Sequence, residues 1–176
     1  MNIFVTSLSP HECAKALDDV RLRKMYLETA QLLCGALRLR GVNDDRLYKV
    51  SHANHPCALW ARENSANWMW LKSHWNGLGH ELRERFPDKY HKTGFLIPTL
   101  VEYTQEVRMG RHLPPSIDGT PFANCARNKS LGLDFTGIED TFEAYREYLA
   151  ARWQQDRRPP VWTGRGAPSW LGEKTS

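Results

Sequence analysis

The chain has 176 residues, 41% of them hydrophobic and 25% charged, with a net charge of +4. That length suits one domain with a real core, and the balance is that of an ordinary soluble protein. No stretch approaches the length of a membrane span, and the opening MNIFVTSLSP lacks the charged start and apolar run of a secretory signal.

Cys13, Cys34, Cys57 and Cys125 form no CxxC pair, so free thiols in a reducing cytoplasm are expected. Seven Trp, six Tyr and six Phe are many for this length. Such rings fill cores, and they also stack on bases. Most of the positive excess lies near the end, where Arg152, Arg157, Arg158, Arg165 and Lys174 face only Asp156 and Glu173. Interleaved with Trp153, Trp162 and Trp170, this tail suits contact with phosphates and bases, or simple docking on the fold.

In chain order, residues 1–8 read as an extended arm or short strand around NIFV. Ser9, Pro10 and Glu12 spell a helix start, and the apolar pattern then runs to about Leu39, with Gly41 as terminator. Asn54 or His55 before Pro56 starts a second helix, which Ser65 is able to restart and which ends near Phe86. IPTLVEYTQEV is a short third helix. Residues 110–137, rich in Pro, Gly and Asn, read as a long loop, a feature that is often functional. A last helix carries Phe142, Tyr145, Leu149 and Trp153 on one face. The tail 154–176 holds three prolines and is expected to be irregular. Nothing convincingly makes a sheet. The expected architecture is all-α: one compact helical domain, 1–176, with its core over 9–150.

The first long helix holds the main functional signal. On the 3.6-residue period Leu17, Arg21, Lys24, Glu28, Gln31 and Gly35 share one face, with apolar residues on both sides. A charged line between two apolar flanks either faces a cleft or is a solvated stripe of weak surface pairs. A second cluster, SHANHPCALWARENSANWMW, places His52 and His55 before a helix start that favours anions, then Arg62, Asn64 and Asn67 among tryptophans. Ordinary capping and core packing account for much of it. His52, His55 and Cys57 with Cys125 also permit a zinc site, but the spacing matches no strong zinc signature, and no metal or cofactor is expected. His91, Lys92, Thr120, Asn124, Arg127 and Lys129 are candidates for a ligand rim by loop position. Phosphate-binding, dinucleotide, nucleophile-elbow and HExxH motifs are absent.

These residues resemble the pyrimidine-dimer DNA glycosylases of the phage endonuclease V family. That family starts with a short arm feeding a long helix with a His-Leu pair and then a Tyr-Arg-Glu triplet. Here Arg21-Leu22 stands in the first place and Tyr26-Leu27-Glu28 at matching spacing. HPCALW followed by WMWL is similar to the family's second-helix region, and the ending PSWL is family-like. Leu27 replaces the family's arginine, Gln31 or nothing stands for a second one, and the arm is several residues longer.

The resemblance implies attack on the sugar C1′ by the N-terminal α-amine, of Met1 or of Asn2 if Met1 is removed. An imine then permits strand cleavage, with Glu28 as the essential carboxylate. Protein α-amines titrate at about 7.7–8.0 and so keep a neutral, nucleophilic fraction at cellular pH. By spacing, Lys24 is a second candidate amine, one turn from Glu28 and activated if desolvated beside Arg21. Arg21, Gln31, His52, His55, Arg62, Asn67, His91, Lys92, Arg157, Arg158 and Arg165 are then the candidate contacts to DNA, expected as a duplex. Two rivals remain: a non-catalytic nucleic-acid-binding module, and an enzyme that transfers a group to DNA or a nucleotide. No protein partner is named by the sequence.

Overall fold

The computed structural model describes residues 1–172. It is 54% helical, with one two-stranded ladder, which makes it all-α as expected. The helices are α1 (Pro10–Ala16), α2 (Asp19–Leu39), α3 (Pro56–Ala61), α4 (Ser65–Arg85), α5 (Ile97–Arg108), α6 (Thr141–Gln154) and α7 (Ser169–Gly172). A 3₁₀ turn, Lys92–Leu96, leads into α5.

Helix α4 is the central element, packed on both α1 and α2. Trp68, Leu71, Trp75, Leu78 and Leu82 recur at helical spacing and are all buried. Its indoles find partners on α2: Trp68 Nε1 donates to Leu33 O at 3.2 Å, and Trp75 Nε1 to Tyr26 O at 3.1 Å. Tyr26 stacks on Trp75 with ring centroids 5.0 Å apart. This approach needs Gly79, where a Cβ would stand 3.1 Å from the Tyr26 ring. The buried apolar residues form one cluster that also takes in the N-terminal arm and α6.

Three expectations need correction. The first helix is broken, because Leu17 and Asp18 take extended backbone between α1 and α2. The distant chain holds this corner. Trp153 Nε1 and Arg21 both donate to Asp18 Oδ1, and Arg85 donates to Leu17 O. The second helix does restart at Ser65, as α3 and α4, with Asn64 capping α4 by accepting from Asn67 N. The 110–137 segment is not all loop, since Arg127–Asn128 pairs antiparallel with Leu133–Asp134. The tail also ends in the short helix α7, directly after Pro168. Glu173 and Lys174 lie outside the described residues.

The arm and the tail both close on α2. Residues 2–6 are buried, and Phe4 takes a left-handed backbone with φ of 57°, which bends the arm. Its ring stacks on Tyr148 and meets Tyr145 edge-on, packing that offsets a strain of about 1–2 kcal/mol. From the other end, Val161 O accepts from Asp19 N, the first amide of α2, and Trp162 Nε1 donates to Ala16 O.

Candidate functional site

The polar line on α2 lies under these two segments. Leu22, Met25, Ala30 and Leu33 are buried beside it, while Val20 is 74% exposed, so the flanks are not equally covered. Glu28 stands where the arm crosses. Its side chain is only 14% exposed. Its Oε2 accepts from the backbone N–H of Asn2 at 3.2 Å and lies 3.8 Å from the terminal amine of Met1. Lys24 Nζ stands 3.5 Å from the other oxygen, with a side chain that is 65% exposed. Met1, Asn2, Lys24 and Glu28 are therefore brought together. The desolvation that would activate Lys24 is missing, and so is a free Arg21 beside it.

Arg21 has other partners. Its Nη1 donates to Asp18 at 2.9 Å and its Nη2 to Asp156 at 2.7 Å. Burial alone would lower its pKa, but the two carboxylates raise it and keep the buried guanidinium charged. Asp18 and Asp156, not singled out in the sequence, thus hold the start of α2 to the end of α6. A cleft of about 390 Å³ opens here, lined by Phe4, Lys24, Asn128, Tyr148, Arg157 and Arg158 among others. Arg157 and Arg158 are exposed at its edge.

On the other side of the arm, Asn2 Nδ2 donates to Cys125 O at 3.1 Å, and Asn2 Oδ1 accepts from Ile3 N. Cys125 N donates to the Tyr145 hydroxyl, which donates to Ala123 O. His55 is the N-cap of α3, accepting from Cys57 N at 3.2 Å. His55, Cys57 and Cys125 each offer a ligand atom within 4.8 Å of the other two. Hydrogen bonding with Cys57 pulls the Cys125 thiol down to about 7, and the same bond, with burial, pushes Cys57 up. Burial and the nearby terminal ammonium hold His55 below the usual imidazole value. His52 stays apart, exposed with φ of 53° and bonded to Ser51 Oγ.

The other candidates are dispersed. Gln31 is half-buried, one turn beyond Glu28 on α2. Arg62 donates to Ala53 O. Asn67 is fully buried. Its Nδ2 donates to Trp60 O and Thr120 Oγ1, and its Oδ1 accepts from Thr120 N, so it clamps the long loop to α4. His91 caps the 3₁₀ turn and meets Tyr26 edge-on, while Lys92 is exposed. Arg165 makes a two-pronged bond to Glu81, at 2.7 and 2.8 Å, and so anchors the tail.

The fold and site define a helical protein with an amine–carboxylate pair where an N-terminal arm crosses a long helix, beside an arginine-edged cleft. Residues 1–93 match the family model described as pyrimidine dimer DNA glycosylase, and the chain belongs to that family. The match covers the arm, α1 to α4 and His91, and stops short of Cys125, α6 and the tail. No curated protein and no solved structure matches significantly. Membership supports a DNA glycosylase of DNA repair with DNA as its substrate. Among the described residues no helix is long and apolar enough to cross a membrane.

Proposed function

We propose that the protein breaks the glycosidic bond of one base of a pyrimidine dimer in duplex DNA, with the α-amine of Met1 as nucleophile and Glu28 as the partner carboxylate, and then cleaves the strand as a lyase. The observation that carries this reading is the 3.8 Å approach of the terminal amine to Glu28 Oε2, with the Asn2 amide donating to the same oxygen. The amine lone pair forms the bond to C1′ as the glycosidic bond breaks, its electron pair leaving with the base. Glu28 stabilises the positive charge that develops at C1′ and takes the proton that the amine sheds. The sugar ring opens to an imine. Loss of a C2′ proton then expels the 3′ phosphate.

The target nucleotide has to leave the stack to reach the amine. Lys24, Arg157 and Arg158 edge the adjoining cleft and would hold the backbone phosphates. Lys24 ranks behind Met1 as the nucleophile because its side chain is mostly in solvent. The four free cysteines suit work in a reducing cytoplasm.

Glu28→Gln tests the reading. It keeps the size of the side chain and removes the charge. Single-turnover assays on a dimer-containing duplex should show a rate about 10²–10⁴-fold lower, with duplex binding kept. Unchanged turnover would rule out the assigned role of Glu28.

A further inference from the structure

We propose that His55, Cys57 and Cys125 form a binding site for a thiophilic divalent cation of the zinc class, beside the amine–carboxylate pair. Their ligand atoms already lie within 4.8 Å of one another. Tetrahedral coordination at ordinary zinc distances needs separations of about 3.5–3.8 Å, so closure takes roughly an ångström of side-chain movement. Two sulfurs and one imidazole nitrogen are a soft donor set that selects zinc over magnesium or calcium.

The backbone around the three residues is already fixed, with the His55 ring as the one ligand side chain that takes part. His55 caps α3 and Cys57 is the second residue of that helix, so the helix start sets both. Cys125 is gripped through its backbone, its N–H by Tyr145 and its carbonyl by Asn2. The Nδ1 of His55 makes one long cap bond, 3.2 Å from Cys57 N, and ligation through Nδ1 gives up only that bond. A cation here would tie the start of α3 to the segment that holds Asn2. Asn2 in turn places its backbone N–H on Glu28, so the cation would brace the wall against which the arm docks. Three protein ligands are also the set that leaves a fourth position open in zinc enzymes.

The test uses the full chain, reduced, stripped by a chelator and titrated with Co²⁺. The expected result is one Co²⁺ per chain, with thiolate-to-metal charge-transfer absorption and tetrahedral visible bands, all displaced by Zn²⁺. His55→Ala, Cys57→Ser and Cys125→Ser should each weaken binding at least about tenfold, while Cys13→Ser and Cys34→Ala keep it. If the buried Cys57→Ser fails to fold, Cys125→Ser, at a half-buried position, and the wild-type spectrum still decide. No uptake by the reduced wild type would overturn the proposal, as would uptake unchanged in Cys125→Ser. A Cys57–Cys125 disulfide with no Co²⁺ bound after reduction would overturn it too. Metal uptake is read without DNA, so its failure leaves the glycosylase reading standing, and loss of DNA cleavage leaves the metal site standing.

Discussion

Glu28 has two kinds of partner, and they differ in what they can do. Lys24 meets it from solvent, while the amine and amide of the arm meet it from above in a half-enclosed corner. Its place on a polar line was legible from the helical period. What covers that line was not, because the contacts come from residues 26 positions earlier and, through Arg21, 135 positions later. Asn67 shows the opposite case. Among tryptophans and beside an arginine it suggested a base contact, yet it is buried and holds Thr120. Asn67→Ala leaves Thr120 N unpaired, while Trp60 O keeps the backbone N–H of Glu63, and should cost about 1–3 kcal/mol in urea unfolding. A stable variant with weakened DNA binding would return Asn67 to the recognition surface.

His74 is a second residue whose role is structural. It is fully buried on α4, with Nδ1 bonded to Pro10 O. Burial pulls its pKa from 6.5 down to about 4. In the unfolded chain the ring takes a proton near pH 6.5, and in the fold only near 4. The unfolded state therefore binds more protons between these values. Stability is full above the window and falls as pH drops through it, by about 2 kcal/mol at pH 5. Unfolding midpoints at pH 7.5 and pH 5 should converge for wild type and His74→Gln. Parallel losses in the two proteins would contradict this account.

At the scale of elements, the helix starts were legible because local chemistry sets them. Ser9 before Pro10 and His55 before Pro56 each cap as their side chains suggest, whereas Asn64, which the sequence grouped with the ligand candidates, caps α4 at the expected restart. The break between α1 and α2 was hidden, since the apolar period runs through Leu17 and Asp18 without a Gly or Pro. Trp153, Arg85 and the tail hold that corner, all from beyond residue 84. Of the two readings the tail's composition allows, Trp162 and Arg165 follow docking, on α1 and α4, while Arg157 and Arg158 stay exposed at the cleft. Trp162→Ala removes the indole bond to Ala16 and the packing on Trp153. It should destabilise the fold by about 2–3 kcal/mol and speed amide exchange at the start of α2. Exchange there that matches wild type would show that the tail does not cap the helix.

For the molecule as a whole, the modest net charge understates what DNA would meet. Charge is concentrated where the tail turns past the cleft, at Arg157 and Arg158, while Arg21 and Arg165 are held in ion pairs. Replacing Arg157 and Arg158 together by Ala should weaken duplex binding at every sequence and lower the slope of log K against log salt by about 2, with unfolding unchanged. An unaltered slope would place the phosphate contacts elsewhere. The all-α class and the family were legible because they rest on periodicity and on motifs in the first half of the chain. The closing of both chain ends over one helix was not, because no local pattern encodes contacts more than a hundred residues apart.

The most direct test of the amine–carboxylate site is borohydride trapping on a labelled duplex carrying one pyrimidine dimer, beside an undamaged control. The account predicts a covalent adduct with the damaged duplex alone, mapping to the N-terminal peptide and lost in Glu28→Gln. An adduct on Lys24, or strand cleavage with no trapped adduct, would contradict it.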